Sequence, residues 1–92
     1  MKEILSYLNY LQVVKKYSNC TILGYREDLM ELYDFKNDIL HYEEKDVQDY
    51  LEYLYAKRLS RNSISRKLSS IRSFYHYLED EGKKINNYFS EV

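Results

Sequence analysis

The sequence predicts an all-α protein, a compact four-helix bundle in a single domain spanning residues 1–92. Three observations lead there. The chain has 92 residues, 45% of them hydrophobic, which is enough for one small core and argues against disorder. It has no Pro and only two Gly, so little punctuates helices and an all-β chain is disfavoured. Its apolar residues recur every three or four positions in four separate stretches, the signature of amphipathic helices.

The first stretch, about Lys2–Lys16, aligns Ile4, Leu8, Leu11 and Val14 on one stripe, with Tyr7 beside it. The second opens at Ser18, a good N-cap, and runs to about Phe35. Its inner face is Ile22, Tyr25, Leu29 and Leu32, and the acids Glu27 and Asp28 sit early, where the helix dipole favours them. A polar connection over 36–42 follows. The third helix begins near Glu43–Asp46 and ends near Lys57, with Val47, Tyr50, Leu51 and Leu54 inward and Tyr55 adjoining. Ser60 caps the fourth, about Arg61–Glu81, whose stripe is Ile64, Leu68, Ile71, Tyr75 and Leu78. Gly82 is placed to terminate it. The tail, Lys83–Val92, has no clear helical period.

Several function classes are disfavoured. The single cysteine, Cys20, cannot form an internal disulfide, and His41 and His76 are not at metal-ligand spacing, so neither a metal nor a cofactor is expected. No apolar run approaches a membrane span and no signal peptide is visible at Met1–Tyr10, which fits a cytoplasmic protein with no membrane partner. Ser-His-Asp and Cys-His arrangements, Gly-rich phosphate loops and H-E-x-x-H are all missing, so no catalytic residue and no small-molecule substrate is expected.

Charge is unevenly distributed. From Tyr53 to Leu78 there is no acid, yet six of the 14 Lys and Arg lie there: Lys57, Arg58, Arg61, Arg66, Lys67 and Arg72. A net charge of −1 therefore hides a polarised chain, and local field matters more to a phosphate than the sum. Opposite the core stripe, the fourth helix presents Asn62, Arg66, Ser69, Ser70, Ser73, His76 and Tyr77, with Ser65 and Arg72 flanking. Serine is a mediocre helix former. Short hydroxyls would let this helix approach a phosphate backbone while the arginines reach phosphates or guanine edges. The same pattern also suits a tolerant, solvated helix face. At the start of the second helix, Ser18 and Thr21 bring free backbone N–H groups, with Lys15, Lys16 and Arg26 nearby. Ser18 alone can equally be only a cap.

Three stretches carry a family resemblance. Tyr17-Ser18-Asn19-Cys20-Thr21-Ile22-Leu23-Gly24-Tyr25-Arg26-Glu27-Asp28-Leu29 resembles S-x-x-T followed by Y-x-x-D-L. Glu44-Lys45-Asp46-Val47-Gln48-Asp49-Tyr50-Leu51 resembles the start of a third helix. The run Leu59-Ser60-Arg61-Asn62-Ser63-Ile64-Ser65-Arg66-Lys67-Leu68-Ser69-Ser70-Ile71-Arg72-Ser73-Phe74-Tyr75 is similar to L-S-x-x-S-I-x-R-x-L-S-x-I-R-x-F-Y. In this order they resemble the N-terminal, SAM-like core-binding domain of tyrosine recombinases, including Xer-type enzymes and phage or transposon integrases. The likeness covers about Ile4 to Val92. It departs in the tail, where Tyr88 stands in place of the family's Pro, and in the acidic balance outside the fourth helix, which implies a narrow DNA footprint.

The resemblance implies one jaw of a clamp around double-stranded DNA, with the second and fourth helices facing the duplex. It places Thr21, Tyr25, Arg26, Asn62, Ser63, Arg66, Ser69, Ser70 and Arg72 at or near the DNA, although the spacing of Tyr25 also fits the core. Family chemistry belongs to a separate C-terminal domain, and neither His41-Tyr42-Glu43-Glu44 nor His76-Tyr77-Leu78-Glu79 gives its His-x-x-Arg. The chain is thus expected to be a recombinase piece without catalytic function, with other recombinase protomers as partners of the full-length protein. The competing reading is a helical protein-interaction module that uses the acidic face and the twelve tyrosines.

Overall fold

The computed structural model describes residues 1–91; Val92, the end of the expected irregular tail, lies outside them. Four α-helices follow in order: α1 (Lys2–Val13), α2 (Asn19–Phe35), α3 (Glu44–Ala56) and α4 (Arg61–Asp80). Short 3-10 turns occupy Ile39–His41 and Tyr88–Glu91. No strand occurs among the described residues. The radius of gyration, 12.7 Å, is close to the roughly 12 Å of a compact domain this size.

The caps lie where hydroxyls and glycine were expected. Ser18 Oγ accepts from Thr21 N at 3.3 Å, and Ser60 Oγ accepts from Ser63 N at 3.2 Å. At α3 the donor is different: Glu43 N donates to Asp46 Oδ2 at 2.8 Å, and Lys36 Nζ reaches the same oxygen at 2.7 Å. Gly82 adopts φ +84 immediately after α4, a conformation that a Cβ would disfavour.

The core joins Ile4, Tyr7 and Leu11 of α1 to Leu29 and Leu32 of α2, Val47, Tyr50 and Leu54 of α3, and most of the inner face of α4. Several expectations need correction. α1 stops about a turn early, and Val14, expected inside, is exposed. Tyr7 is buried in the stripe itself, while Leu8, Ile22, Tyr25 and Leu51 are only partly buried. The 36–42 connection is not merely polar: Ile39 and Tyr42 are buried, and Tyr42 OH donates to Leu32 O at 3.0 Å. The tail likewise packs, because Phe89 is buried and stacks on Tyr75 with centroids 5.5 Å apart.

The buried sector of α4 is broader than one stripe. It contains Phe74 and Ser70 besides Ile64, Leu68, Ile71, Tyr75 and Leu78. The reason is packing on both flanks: α1 and α2 cover one side of α4, and the Tyr88–Glu91 turn covers another. The solvent-facing sector is correspondingly narrower. It consists of Arg61, Asn62, Ser65, Arg66, Ser69 and His76, with Arg72 and Ser73 at its edges and the acids Glu79 and Asp80 at its C-terminal end.

Candidate nucleic-acid interface

The N-terminal half of α2 lies against the middle of α4, and an open cleft of about 360 Å³ runs between them. From α2 it is lined by Cys20, Thr21, Gly24, Tyr25 and Asp28; from α4, by Arg66, Ser69 and Ser70. Five of the residues the resemblance places at or near DNA, Thr21, Tyr25, Arg66, Ser69 and Ser70, are therefore brought together by the fold. The others do not line this cleft. Arg26 and Asn62 are exposed on α2 and α4. Ser63 is half-buried, and its hydroxyl accepts from Ser60 Oγ at 3.1 Å within the helix cap. Arg72 Nη2 donates to Ser69 Oγ at 3.1 Å and borders a neighbouring hollow with Arg61 and Ser65.

Two residues of the expected α4 face are placed otherwise. Ser70 is buried, and its Oγ donates to Asp28 Oδ2 at 2.9 Å. Tyr77 turns toward α1, where its OH lies 2.9 Å from Ser6 Oγ. Both corrections follow from the wider buried sector of α4. The serines of α4 thus have local reasons of their own: Ser63 belongs to the cap, Ser70 anchors Asp28, and Ser69 meets Arg72.

The electrostatics also differ from a simple basic stripe. Asp28, which the sequence places as a dipole-satisfying acid, is 1% exposed and holds an ion network. Arg66 Nη2 lies 3.0 Å from its Oδ1 and Lys67 Nζ 3.3 Å from the same oxygen. Lys67 also pairs with Glu31 at 2.7 Å, and Lys57 hydrogen-bonds the other Glu31 oxygen. Burial opposes ionisation of Glu31, but the hydrogen bonds from Lys57 and Lys67 outweigh it and hold its pKa below the ordinary value. Half of the acid-free basic run, Lys57, Arg66 and Lys67, therefore neutralises α2 carboxylates. Arg66 still presents 59% of its side chain to solvent while lining the cleft.

Sequence reasoning missed three contributors. Arg61 entered the charge count but not the site, although it is exposed on the open sector. Asp28 carried a signal in the Y-x-x-D-L spacing, where a carboxylate two turns into an amphipathic helix adjoins a core Leu. Gly24 carried another, since a helix-interior glycine is costly unless something needs the space. Among the described residues there is no cluster of three or more His, Cys, Asp or Glu able to hold a metal. No described helix is long and apolar enough to cross a membrane.

This is a small all-helical domain that carries arginines and hydroxyls on one open face. The chain belongs to the phage integrase N-terminal SAM-like domain family, whose model matches residues 4–82. It is similar to tyrosine recombinase XerC of Staphylococcus saprophyticus, 38% identical over 95% of this chain and 31% of the relative. Tyrosine recombinase XerC of Lacticaseibacillus casei is 43% identical over 85% of the chain and 28% of the relative. That of Oceanobacillus iheyensis is 40% identical over 95% and 30%. The chain thus spans about a third of the length of the curated relatives it matches. No solved structure matches it.

Proposed function

We propose that the domain binds double-stranded DNA through the α2–α4 face, as one half of a clamp in a site-specific tyrosine recombinase. Catalysis in this reading belongs to a part of the recombinase outside residues 1–92, and other protomers are partners of the full-length protein. The observation that carries the reading is the convergence of Thr21, Arg66 and Ser69 on one open cleft, in a chain of this family. Thr21 lies in the first turn of α2; its own N–H serves the Ser18 cap, and the N–H groups of Asn19 and Cys20 beside it favour a phosphate. Arg61, Asn62 and Arg72 extend the face along α4, and Arg26 extends it along α2. Ser70 enters only by positioning Asp28, and Ser63 by fixing the start of α4.

The test is a titration of a labelled duplex at several salt concentrations. Arg61→Ala, Arg66→Ala and Arg72→Ala should each weaken binding, and each lost phosphate contact should reduce the salt slope by about one unit. An arginine that reads guanine should instead relax preference at one base pair by about 1–3 kcal/mol. Lys45→Ala is the control, because Lys45 is exposed at the far helix α3 and pairs with Asp49 at 3.6 Å. Equal effects of all four substitutions, or no salt-dependent binding by the wild type, would favour the protein-interaction reading.

A further inference from the structure

A second cleft, of about 280 Å³, opens between the C-terminal ends of α1 and α4 and the start of α2. Its walls are tyrosines: Tyr7 and Tyr10 from α1, Tyr17 from the connection, Tyr25 from α2 and Tyr77 from α4. Their rings form one continuous set. Tyr77 lies 5.0 Å from both Tyr7 and Tyr10, centroid to centroid. Tyr7 meets Tyr25 edge-on at 6.1 Å, and Tyr25 stacks on Tyr17 at 6.1 Å. Tyr7 is buried at the base, whereas Tyr17 is exposed at the mouth. A tyrosine cluster that served only as core would close on itself; this one surrounds open space.

The charge at the mouth is selective. Asp80 and Glu81 stand at the end of α4, where their carboxylates place negative charge beside the rings. His76 also lines the cleft, 3.5 Å from Glu79. Lys15, exposed at the mouth, is the one Lys or Arg of the lining, against the two carboxylates. Aromatic faces and carboxylates together attract a cation and repel a phosphate. The volume falls just below that of pockets for drug-sized ligands, about 300–1,000 Å³, and suits a single side chain.

We propose that this cleft is a recognition site for the guanidinium group of an arginine side chain on a partner protein. Guanidinium is favoured over ammonium because it is planar, weakly hydrated and stacks on aromatic rings while its edge pairs with carboxylates. The proposal is independent of the DNA-binding reading, since the two clefts share only Tyr25.

The probe is N-acetyl-arginine amide, titrated into the 92-residue chain and followed by NMR of the tyrosine rings and backbone amides. Saturable shifts at Tyr10, Tyr17 and Tyr77 and at the amides of Asp80 and Glu81 are expected. N-acetyl-lysine amide should bind more weakly. The double variant Asp80→Asn, Glu81→Gln should weaken binding about fivefold or more, and Lys15→Ala should tighten it. Tyr17→Leu, at an exposed position, gives a second weakening variant should the double one disturb the fold. The proposal fails if no saturable shift appears up to the solubility of the probe. It also fails if N-acetyl-glutamine amide shifts the same resonances equally, or if thymidine 5′-monophosphate binds there more tightly, which would make the cleft a base-stacking site.

Discussion

Asp28 on α2 and Ser70 on α4, 42 residues apart, share a buried hydrogen bond of 2.9 Å. That bond closes an arrangement in which one carboxylate receives Ser70 on Oδ2, and Arg66 and Lys67 on Oδ1. A buried carboxylate needs such partners, because desolvation alone would disfavour its charge. The consequence reaches the proposed interface. Asp28 tethers α2 to α4 from below while Arg66 remains open above, so the cleft geometry and the fold share a residue.

Asp28→Ala should therefore destabilise the domain by about 3 kcal/mol, the lower end of the range for breaking a buried pair. The lower end applies because Lys67 retains Glu31 and Arg66 can turn to solvent. Asp28→Asn should lose less, since it keeps the acceptor for Ser70. Urea unfolding of both variants measures this directly. If the two lose nothing, the network does not hold α2 to α4.

Core truncations should rank by burial. Phe74 is fully buried and Leu68 is 7% exposed. Phe74→Ala should cost about 3–5 kcal/mol and Leu68→Ala about 2–5. Leu51 is only partly buried, and Leu51→Ala should cost clearly less than Leu68→Ala. Thermal or urea unfolding that reversed the order of Leu51 and Leu68 would contradict the packing described for α3.

Stability should fall at both ends of the pH scale. Glu31 and Asp46 have pKa values held below the ordinary carboxylate range, Glu31 by Lys57 and Lys67 despite its burial, Asp46 by Lys36 and the Glu43 N–H. Each contributes stability present above about pH 4.5 and lost as the pH falls through its folded-state value. Burial pushes the hydroxyls of Tyr7, Tyr42, Tyr50 and Tyr75 up. Their contribution is complete below about pH 10 and is lost above it. Melting temperatures between pH 3 and 11 should trace a plateau with two falling arms. Glu31→Gln should lower the plateau and flatten the acid arm; an acid arm unchanged in slope would remove Glu31 from the account.

The helices were legible because their signals are local. Ser18, Ser60 and Gly82 mark ends through their own backbone chemistry, and the stripes of α3 and α4 follow helical spacing. What the sequence could not show was which neighbours cover each helix. Ser70 and Phe74 look peripheral on a wheel of α4 and become interior only because α1 and α2 both pack on that side. Phe89 and Tyr42 lie in segments without period, so nothing local announces that they fill the core. The basic run was visible as charge, but its pairing with Asp28 and Glu31 is a contact between distant segments. Val14 failed for the opposite reason: it keeps the stripe spacing, yet the helix has already ended.

Gly24 offers the sharpest separation of stability from binding. It lies within α2, where glycine is less favourable than alanine by about 0.8–1.0 kcal/mol. A Cβ built there meets nothing within 4 Å, so packing does not require the glycine. Yet Gly24 lines the α2–α4 cleft beside Thr21 and opposite Ser69. If a phosphate backbone approaches α2 at this point, an added methyl group would occupy the space the backbone needs. Gly24→Ala should therefore raise the melting temperature by about 4–8 °C, as roughly 1 kcal/mol does in a domain this size. The same variant should weaken duplex binding up to about tenfold, at unchanged salt slope, because no cation is lost. Gly24→Leu should weaken it further without unfolding the chain. A stabilised Gly24→Ala protein with wild-type affinity would show that DNA does not approach α2 there, and would confine the interface to the exposed arginines of α4.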